Sequence, residues 1–581
     1  MKILRIHGTL LLGPLLSFGS MAAIAQTTTP LLESTPSPEQ VRPEWTSEYS
    51  STATFGIGLA THADPSSSLL PGGSLNGNDS AANYRSGDTF SRVTKLHSSA
   101  NFKHNSGFGA MVSGMAWYDG SLMHHGVAHG NNPNNYVAGA PLSDDGFNSL
   151  ARFQGLALLD AYLYGSSQLD QGALNWRVGR LTLERDSGFS FKGGLRDHET
   201  RNVAALVRPG AQPDEGAVPI WAATARWTPS PTVRVDGFLQ LAPEQSVDPG
   251  CGTYFASDDY SAPGCSRVFY DNRLTESQGL ARGAYTTRSR DLRARNRPDQ
   301  FGLNASYVVP DWGTRFGAHY AHYHSRTGYT GVLKGQALGP SGGNSYVVEY
   351  PEDKNRLSLT AATRVPALDL AMQSEVSLTT GQPIQLNTTD LLAAFLTGRG
   401  ALGNDAIKAP SNTLFRGYDR FRVFQVQTGF VKNFGALMGA DRAFLGAEAS
   451  VKHVNDLPDV NTRRYGRPEI TPPCATGQVC TTNNGFITST AWAYRVKFGL
   501  EFRDLSPTLI NLRPSISWAH DVKGWAYDYS FIQGRRIWNF TLEADLSNQM
   551  FASMSYLINR GGAFNPGQGL DFAFLAVGMK F

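Results

Sequence analysis

Apolar and polar residues alternate one by one over long stretches of this chain, and this period of two constrains its fold more than any other feature. Successive side chains of a β-strand point to opposite faces, whereas a helical pattern would repeat every three to four residues. Around Trp492 an apolar face opposes a face of charged and small residues, namely Trp492, Tyr494, Val496, Phe498, Leu500 and Phe502 against Ala493, Arg495, Lys497, Gly499, Glu501 and Arg503. The pattern predicts strands that separate an apolar environment from water.

Such segments recur about 18 times, each at the length of a tilted membrane strand. They begin near Tyr49, Val93, Phe108, Ala151, Ala173, Val218, Val233, Gln300, Thr314, Arg356, Asp369, Arg420, Arg442, Phe486, Asn511, Arg535, Met550 and Asp571. The connections alternate between short ones with turn residues and long ones. The long ones cover about 63–92, 120–150, 184–216, 242–299, 325–355, 381–419 and 455–485. This rhythm places all short turns at one end of the sheet and all long loops at the other.

Beyond its first residues, the sequence contains no run near the roughly 18 to 20 continuous apolar residues of a membrane-spanning helix. A closed β-barrel is the other structure that satisfies every backbone group in lipid. Residues 571–581 alternate and end on Phe581, an ending that resembles the outer-membrane β-barrel proteins of Gram-negative bacteria. This resemblance implies that the last strand pairs with the first, and that Phe581 is an assembly signal for the barrel-assembly machinery.

We therefore predict an all-β fold, a transmembrane antiparallel β-barrel of about 18 strands (16–18) with long extracellular loops and short periplasmic turns. The predicted location is the bacterial outer membrane. A soluble propeller or sandwich would also contain many short strands, but it would not explain the alternation of short and long connections.

The first residues predict a segment that directs export. Lys2 and Arg5 precede an apolar stretch, and small residues follow at 23–25, so residues 1–25 are expected to be a signal peptide. Residues 26–47 are rich in Pro, Ser and Thr and predict an extended periplasmic tail, too short for a folded plug. The barrel is expected over 48–581.

Net charge and cysteine content bear on binding partners and on disulfides. A net charge of +3 over 581 residues is too small to predict nucleic-acid binding. The four cysteines lie as two close pairs, Cys251 with Cys265 and Cys474 with Cys480, and an exported protein is expected to join them as disulfides. Three connectivities are possible, and we favour the two short loops. No cysteine has metal-ligand spacing.

The inward faces of the predicted strands carry both signs of charge. The candidates for lining the lumen are Arg177, Arg234, Asp236, Arg315, Glu448, Arg495, Lys497, Glu501, Arg503, Glu543 and Asp545. Such a lining can orient and select a polar or anionic solute. The alternative is structural, because opposite charges on neighbouring strands can pair across the lumen and stiffen the wall.

A basic cluster lies in the long loop after Leu241 and comprises Arg282, Arg288, Arg290, Arg293, Arg295 and Arg297. It can fold inward as a constriction that attracts anions, bind lipopolysaccharide phosphates, or form a solvated loop face. In another loop, residues 390–396 predict a short helix that is capped by Thr388 or Thr389 and ends at Gly398. Its apolar residues suit either a lid or packing against other loops.

Catalytic and metal sites are not predicted. His124, His125 and His129 would suit a metal on a helix, but their segment is irregular and rich in Gly and Asn, so no metal and no cofactor are expected. The sequence contains no Gly-x-Ser-x-Gly elbow, no HExxH motif and no phosphate-binding loop. We therefore expect no enzymatic activity.

Several segments together resemble a family of large Gram-negative outer-membrane proteins known as domain of unknown function 1302. They are residues 108–119, 158–162, 179–180, 251–255 leading to 264–265, and 439–441 before a strand that contains Glu448. The chain departs from the family pattern at 181–186, where a Trp-Gly-Glu stretch is common. The resemblance implies transport of poorly soluble organic molecules and implies no catalytic residues.

These features predict a porin-like channel for small organic molecules, including hydrophobic or aromatic catabolic substrates. The expected partners are outer-membrane lipids, lipopolysaccharide and a small organic solute. The alternative is a plugged surface-exposed barrel with a structural or adhesive role and no channel activity. One local question is open: Phe572 and Phe574 fall on the lumen side. This requires either a bulge in the last strand or an aromatic outer mouth.

Overall fold

The computed structural model describes residues 44–63, 79–183, 188–256, 258–271, 274–467, 485–507 and 509–581. Eighteen strands form one antiparallel sheet that closes on itself. In chain order they are β1 Trp45–Ala63, β2 Thr89–His104, β3 Gly109–Asp119, β4 Gln154–Gln168, β5 Ala173–Leu181, β6 Ile220–Ser230, β7 Val233–Gln240, β8 Gln300–Val309, β9 Thr314–Tyr323, β10 Lys354–Val365, β11 Leu370–Gln385, β12 Tyr418–Phe434, β13 Arg442–Val454, β14 Thr490–Ser506, β15 Leu509–Lys523, β16 Arg536–Asp545, β17 Met550–Arg560 and β18 Leu570–Lys580.

Every strand of the barrel pairs with the next one along the chain, and β18 pairs back onto β1. At this seam Phe55 lies opposite Val577. The backbone N–H groups of Ser51 and Phe581 donate to each other's carbonyl oxygens at 2.9 and 3.0 Å. The predicted transmembrane barrel is therefore confirmed, and each predicted strand start lies within four residues of the observed one.

Short turns and long loops alternate around the barrel as predicted. Within the described ranges the loops contain six helices, α1 Asp79–Asn83, α2 Gly120–His124, α3 Val203–Leu206, α4 Glu276–Arg282, α5 Thr388–Thr397 and α6 Gly403–Lys408. They also contain short strands at Arg267–Phe269, Tyr285–Thr287, Tyr329–Leu333, Ser345–Glu349 and Leu414–Phe415. Turns of 3-10 helix occur at Asn132–Asn134, Ser149–Ala151, Gly194–Arg196, Pro213–Gly216, Pro310–Trp312 and Pro366–Leu368. None of the helices in the described ranges combines the length and apolar character needed to cross a membrane.

The predicted ends of the chain fall partly outside these ranges. The expected signal peptide, residues 1–25, and the tail up to residue 43 lie outside the described residues. The first strand begins at Trp45, before the expected barrel boundary at residue 48, because Trp45 already pairs with His104 of β2.

The outer face of the barrel is apolar and the inner face is not. On β14, Trp492 is 36% exposed on the outside, whereas its inward neighbours Ala493 and Arg495 are buried. Elsewhere the exposed apolar side chains follow the same outward positions and include Leu156, Leu158, Leu357, Leu359, Phe540, Leu575 and Val577. This is the arrangement that a lipid-facing surface requires.

The apolar cores lie among the loops at the extracellular end. In the largest, Leu391 and Phe395 of α5 pack with Ile384, Leu386 and Tyr465. The helix and its end at Gly398 are as predicted, but the predicted Thr388 or Thr389 cap is wrong. Asn387 caps α5, because its side-chain oxygen accepts the N–H of Asp390 at 3.0 Å. The apolar residues of α5 therefore support loop packing.

One predicted disulfide is present and the other is outside the described residues. Cys251 and Cys265 are joined, both fully buried, in the long loop between β7 and β8. Cys474 and Cys480 fall within 468–484, which the structure does not describe.

Phe572 and Phe574 lie on the lumen side of β18 and are buried. β18 keeps a regular register with β17 through both residues, so no bulge in the last strand accounts for their position. Their rings lie 5.1 and 6.2 Å from that of Phe255, and the neighbouring Tyr254 stacks on Phe90 at 4.2 Å. These aromatic residues anchor the β7–β8 loop to the barrel wall.

Candidate transport vestibule

A large cavity occupies the periplasmic half of the lumen. Its volume is about 2670 Å³, and it extends to turn residues at the periplasmic end, among them Gly107, Gly435, Ser547, Asn548 and Gln549. We call this cavity the vestibule. A barrel of 16 to 18 strands is wide enough to hold an aqueous channel unless other parts of the chain fill it.

The β5–β6 loop forms the ceiling of the vestibule. We call residues 188–216 of this loop the inserted segment, because Leu195, His198 and Gln212 to Glu215 line the cavity from above. The segment passes so close to β1 that a Cβ on Gly56 would lie 2.6 Å from the carbonyl oxygen of Pro209. Only glycine permits this approach without a shift of the backbone.

A buried ion pair fastens one side of the inserted segment to the wall. Lys95 of β2 and Glu215 lie 2.8 Å apart, with side chains only 2% and 3% exposed. The Lys95 ammonium also donates to the carbonyl oxygen of Gly210 at 3.0 Å. Both charges are therefore compensated although their side chains are almost fully buried, as buried charges require.

The opposite wall holds the beginning of the segment. Arg356 of β10 donates to the carbonyl oxygens of Gly194 and Leu195 at 3.0 and 2.9 Å. Glu375 of β11 accepts the N–H of Leu195 at 2.7 Å. Further along, Glu448 accepts the N–H of Ser190 at 3.0 Å. Arg495 of β14 donates to the Ser190 hydroxyl at 2.6 Å. Four strands of the wall, β10, β11, β13 and β14, therefore bind the segment through buried polar groups.

Two titratable groups of the segment have strongly shifted pKa values. Burial, reinforced by the neighbouring charge of Arg356, lowers the pKa of His198 to about 3. Burial alone would raise the pKa of Asp197, but Lys354 and the Tyr323 hydroxyl outweigh it and lower the pKa to about 2. The Tyr323 hydroxyl donates to Asp197 at 2.6 Å. At neutral pH the segment therefore carries a neutral imidazole beside a paired carboxylate.

Six of the predicted lining residues border the vestibule, namely Arg177, Asp236, Lys497, Glu501, Glu543 and Asp545. Most of these charges are paired along the wall. Arg513 lies 2.7 Å from Asp545 and 3.5 Å from Glu543. Glu501 pairs with Arg503 at 2.8 Å. The vestibule wall therefore combines a polar lining with pairing between neighbouring positions.

The other predicted lining residues lie elsewhere. Glu448 and Arg495 face inward but are buried beneath the inserted segment, each 3% exposed. Arg234 lies beside the vestibule and pairs with Asp236 at 2.6 Å. Arg315 is exposed near the periplasmic end of β9, on the same face as His319. Some of the predicted lumen-lining residues therefore face the vestibule, whereas Glu448 and Arg495 face the inserted segment.

Sequence reasoning missed several residues of this site. Arg226 and Arg513 occupy inward positions of β6 and β15, where the alternation could have found them. Lys95 and Arg356 are also inward residues of strands. Glu215 and His198 lie in a loop, and nothing in their local pattern indicates that the loop enters the lumen.

Aromatic rings accompany the charges around the vestibule. The lining includes Tyr162, Tyr164, Trp176, Phe238, Phe444 and Phe551. The Arg177 guanidinium lies 5.9 Å from the centre of the Tyr162 ring, and the Lys580 ammonium lies 5.4 Å from that of Phe551. Such surfaces can contact both the apolar and the charged part of a small organic molecule.

The basic cluster of the β7–β8 loop does not border the vestibule. Of its six members, Arg282, Arg290, Arg293, Arg295 and Arg297 are exposed. Arg295 lies 2.6 Å from Glu352, and Arg297 pairs with Asp299. Arg288 is half-buried and lies 2.8 Å from Asp291. Three of the six arginines are therefore paired with nearby loop carboxylates.

Comparisons with known proteins extend over nearly the whole chain. The family model described as "Protein of unknown function (DUF1302)" matches residues 7–581. No curated protein matches the chain. Similar solved structures include OccAB3 from Acinetobacter baumannii, with 10% identity, a TM-score of 0.43, and coverage of 92% of this chain and 99% of that one. A BenF-like porin from Pseudomonas fluorescens Pf-5 has 8% identity, a TM-score of 0.43, and coverage of 92% and 98%.

Proposed function

The chain belongs to the DUF1302 family, and from this premise and its vestibule we propose that it is a porin-like channel that passes small organic molecules across a bacterial outer membrane. The observation that carries the proposal is a cavity of about 2670 Å³ inside a closed barrel with an apolar outer face. A barrel that served only as a scaffold would need neither a cavity of this size nor a charged lining.

The lining supports a solute with an aromatic or apolar part and a charged group. Arg177 lies beside Tyr162, and Lys497 lies 5.9 Å from the ring of Phe444. Pairs of this kind can hold an organic anion by stacking and by charge together. Hydrophobic and aromatic catabolic substrates fit this description.

A second candidate function follows from the ceiling of the vestibule. The inserted segment is held by at least one ion pair and several hydrogen bonds that are shielded from water. A segment so firmly held supports a plugged barrel with a structural or adhesive role. The two candidates differ in whether solutes pass the segment.

Planar-bilayer conductance distinguishes the two candidates. We would compare the full-length protein with a variant in which residues 190–214 are replaced by a short Gly-Ser linker. A channel is expected to give resolved steps in the wild type and steps several-fold larger in the variant, because the ceiling is gone. Steps that appear only in the variant would support the plugged barrel.

A matched control trims a loop that does not line the vestibule. The tip of the hairpin formed by Tyr329–Leu333 and Ser345–Glu349 can be shortened between residues 336 and 342. This variant is expected to keep wild-type conductance. If it conducts like the variant without the inserted segment, then general loosening of the loops explains the result, and the assignment of the ceiling is wrong.

A further inference from the structure

Three extracellular loops meet at a cluster of two carboxylates and one imidazole. Asp79 begins α1 in the β1–β2 loop, His129 lies in the β3–β4 loop, and Glu276 begins α4 in the β7–β8 loop. The Nε2 atom of His129 lies 3.5 Å from a carboxylate oxygen of Asp79 and 3.2 Å from one of Glu276. All three ligand atoms lie within 4.8 Å of one another.

The cluster is buried, and its polar atoms aim at one another. The Asp79 and Glu276 side chains are 0% and 3% exposed, whereas that of His129 is 23% exposed. Within the described residues, Asp79 Oδ1, Glu276 Oε1 and His129 Nε2 have no hydrogen-bond partner. Asp79 Oδ1 and His129 Nε2 face each other at 3.5 Å, and Glu276 Oε2, beside the unpartnered Oε1, lies 3.2 Å from His129 Nε2. Buried polar atoms normally have a partner, so these unpartnered atoms in one buried cluster indicate a ligand.

The charge balance of the cluster calls for a cation. A third carboxylate, Asp259, is also buried and accepts the backbone N–H of Asp79 at 2.8 Å. Three carboxylates therefore share one buried region with a single imidazole, and a divalent cation bound there would compensate their charge.

The two separations between His129 and the carboxylates fit tetrahedral coordination. Zinc bonds to imidazole nitrogen and carboxylate oxygen at about 2.0–2.1 Å, which places ligand atoms about 3.3 Å apart at tetrahedral angles. The two observed separations, 3.2 and 3.5 Å, bracket that value. One imidazole with two carboxylates also suits zinc and related transition metals better than calcium, which prefers oxygen ligands alone.

We propose that Asp79, His129 and Glu276 bind one divalent cation of the zinc class and that this cation fastens three extracellular loops together. The partial exposure of His129 gives the ion a path from solvent and leaves room for water as a fourth ligand. The site lies next to the disulfide, since Cys251 Sγ is 4.0 Å from Asp79 Oδ2. The prediction from sequence that the chain holds no metal rested on the spacing of the cysteines and on the three histidines of one loop, and did not include Asp79 or Glu276. This inference is independent of channel activity.

Zinc binding to the full-length protein in detergent, without an affinity tag, tests the proposal. The protein would be stripped with EDTA, titrated with ZnCl₂ and assayed for bound zinc by mass spectrometry. We expect about one tightly bound ion per chain. Asp79→Asn and Glu276→Gln keep the size of each side chain and are expected to weaken binding at least about tenfold. His124→Gln is the matched control, because His124 is a neighbouring histidine outside the cluster that bonds to the Tyr118 hydroxyl.

A second measurement keeps the test decisive if a variant fails to fold. Gel mobility before and after heating reports whether each barrel is folded, and anomalous diffraction at the zinc edge locates the ion in the wild type. A peak between Asp79, His129 and Glu276 supports the proposal. The absence of bound zinc, or a peak only at the more exposed group of His322, His324 and Asp353, would overturn it.

Discussion

The two halves of the lumen are built by the same strands but differ in how far their inward charged side chains are buried. In the upper half, inward residues such as Lys95 and Glu375 are buried against the inserted segment. In the lower half, Arg226 and Asp236 form a pair at 2.5 Å whose side chains are 32% and 15% exposed to the vestibule. The inward face is polar in both halves, but its charges are buried and hold a loop in one half, whereas they are partly exposed to the cavity in the other.

This difference teaches that a polar inner face does not by itself define a pore. Buried charges are costly unless they are paired, so in the upper half Lys95 and Glu215 are each stable in the charged form only because the other is present. Half-exposed pairs are screened by water and contribute little to stability. Substitutions in the two halves should therefore separate stability from solute passage.

The largest effect is expected for Glu215→Ala in the upper half. The substitution leaves the buried Lys95 ammonium without its carboxylate, and we expect it to lower the free energy of unfolding by about 3–5 kcal/mol. Denaturant-induced unfolding of the barrel refolded into phospholipid vesicles measures this change. The inserted segment should also loosen, which bilayer conductance would register as larger or noisier steps.

Asp214→Ala is the matched control for that substitution. Asp214 is the preceding residue, its side chain is 62% exposed, and its contact with His97 is a loose 3.8 Å. The free energy of unfolding should change by less than about 1 kcal/mol. Equal effects at positions 214 and 215 would mean that the Lys95–Glu215 pair is not what fastens the segment.

A smaller effect is expected from acidification. The folded state lowers the pKa of His198 to about 3, mainly through burial, so folding favours the neutral imidazole. This stabilisation is complete above pH 6.5, the ordinary pKa, and is lost as the pH falls towards 3. At pH 5 the free energy of unfolding should be lower by about 2 kcal/mol than at neutral pH. Arg356, Arg326 and Glu199 are the charged groups facing the ring.

Hydrogen exchange of peptides covering 190–200 measures this pH response. Protection factors, which correct for the slower intrinsic amide exchange at low pH, should fall between pH 7 and pH 5 in the wild type, and this fall should be smaller in His198→Asn. His104→Asn, at an exposed periplasmic turn, should retain the wild-type response. An unchanged response in His198→Asn would assign the acid sensitivity to another group.

The smallest effect on stability is expected for Asp236→Asn in the lower half. Asp236 pairs with Arg226 and Arg234, both about one-third exposed, so the loss should stay below about 1 kcal/mol. The vestibule would gain net positive charge, and its ion selectivity should shift towards anions. Reversal potentials in a salt gradient measure the shift. A loss of stability as large as that of Glu215→Ala would remove the contrast between the two halves.

The barrel itself was predictable because its signal is local and repeated. A period of two needs only neighbouring residues, and each strand start could be located within four residues from the sequence. The link between Cys251 and Cys265 was predictable for a similar reason, since 14 positions separate the two residues. The cap of α5 was misplaced by one or two residues because Asn387, Thr388 and Thr389 are all good capping residues.

The contents of the lumen were not predictable in the same way. Arg495 and Lys497 are alternate inward residues of one strand, yet only Lys497 borders the vestibule. The difference comes from Ser190 and Phe191, which belong to a loop some 300 positions earlier and cover Arg495. Likewise Asp79, His129 and Glu276 meet only because three loops fold over one another. The alternation of apolar and polar residues predicts to which side of a strand a side chain points, but it does not predict which residues that side chain contacts.

The seam between Ser51 and Phe581 has a consequence for biogenesis. Its two hydrogen bonds join strands at opposite ends of the sequence, so the cylinder cannot be completed while the final strand is still being made. Until then the curled sheet has two open edges, each a template for pairing with another chain. Closure is therefore the last and most non-local step of assembly. Whatever protects those edges until Phe581 arrives decides whether the polypeptide becomes a barrel or an aggregate.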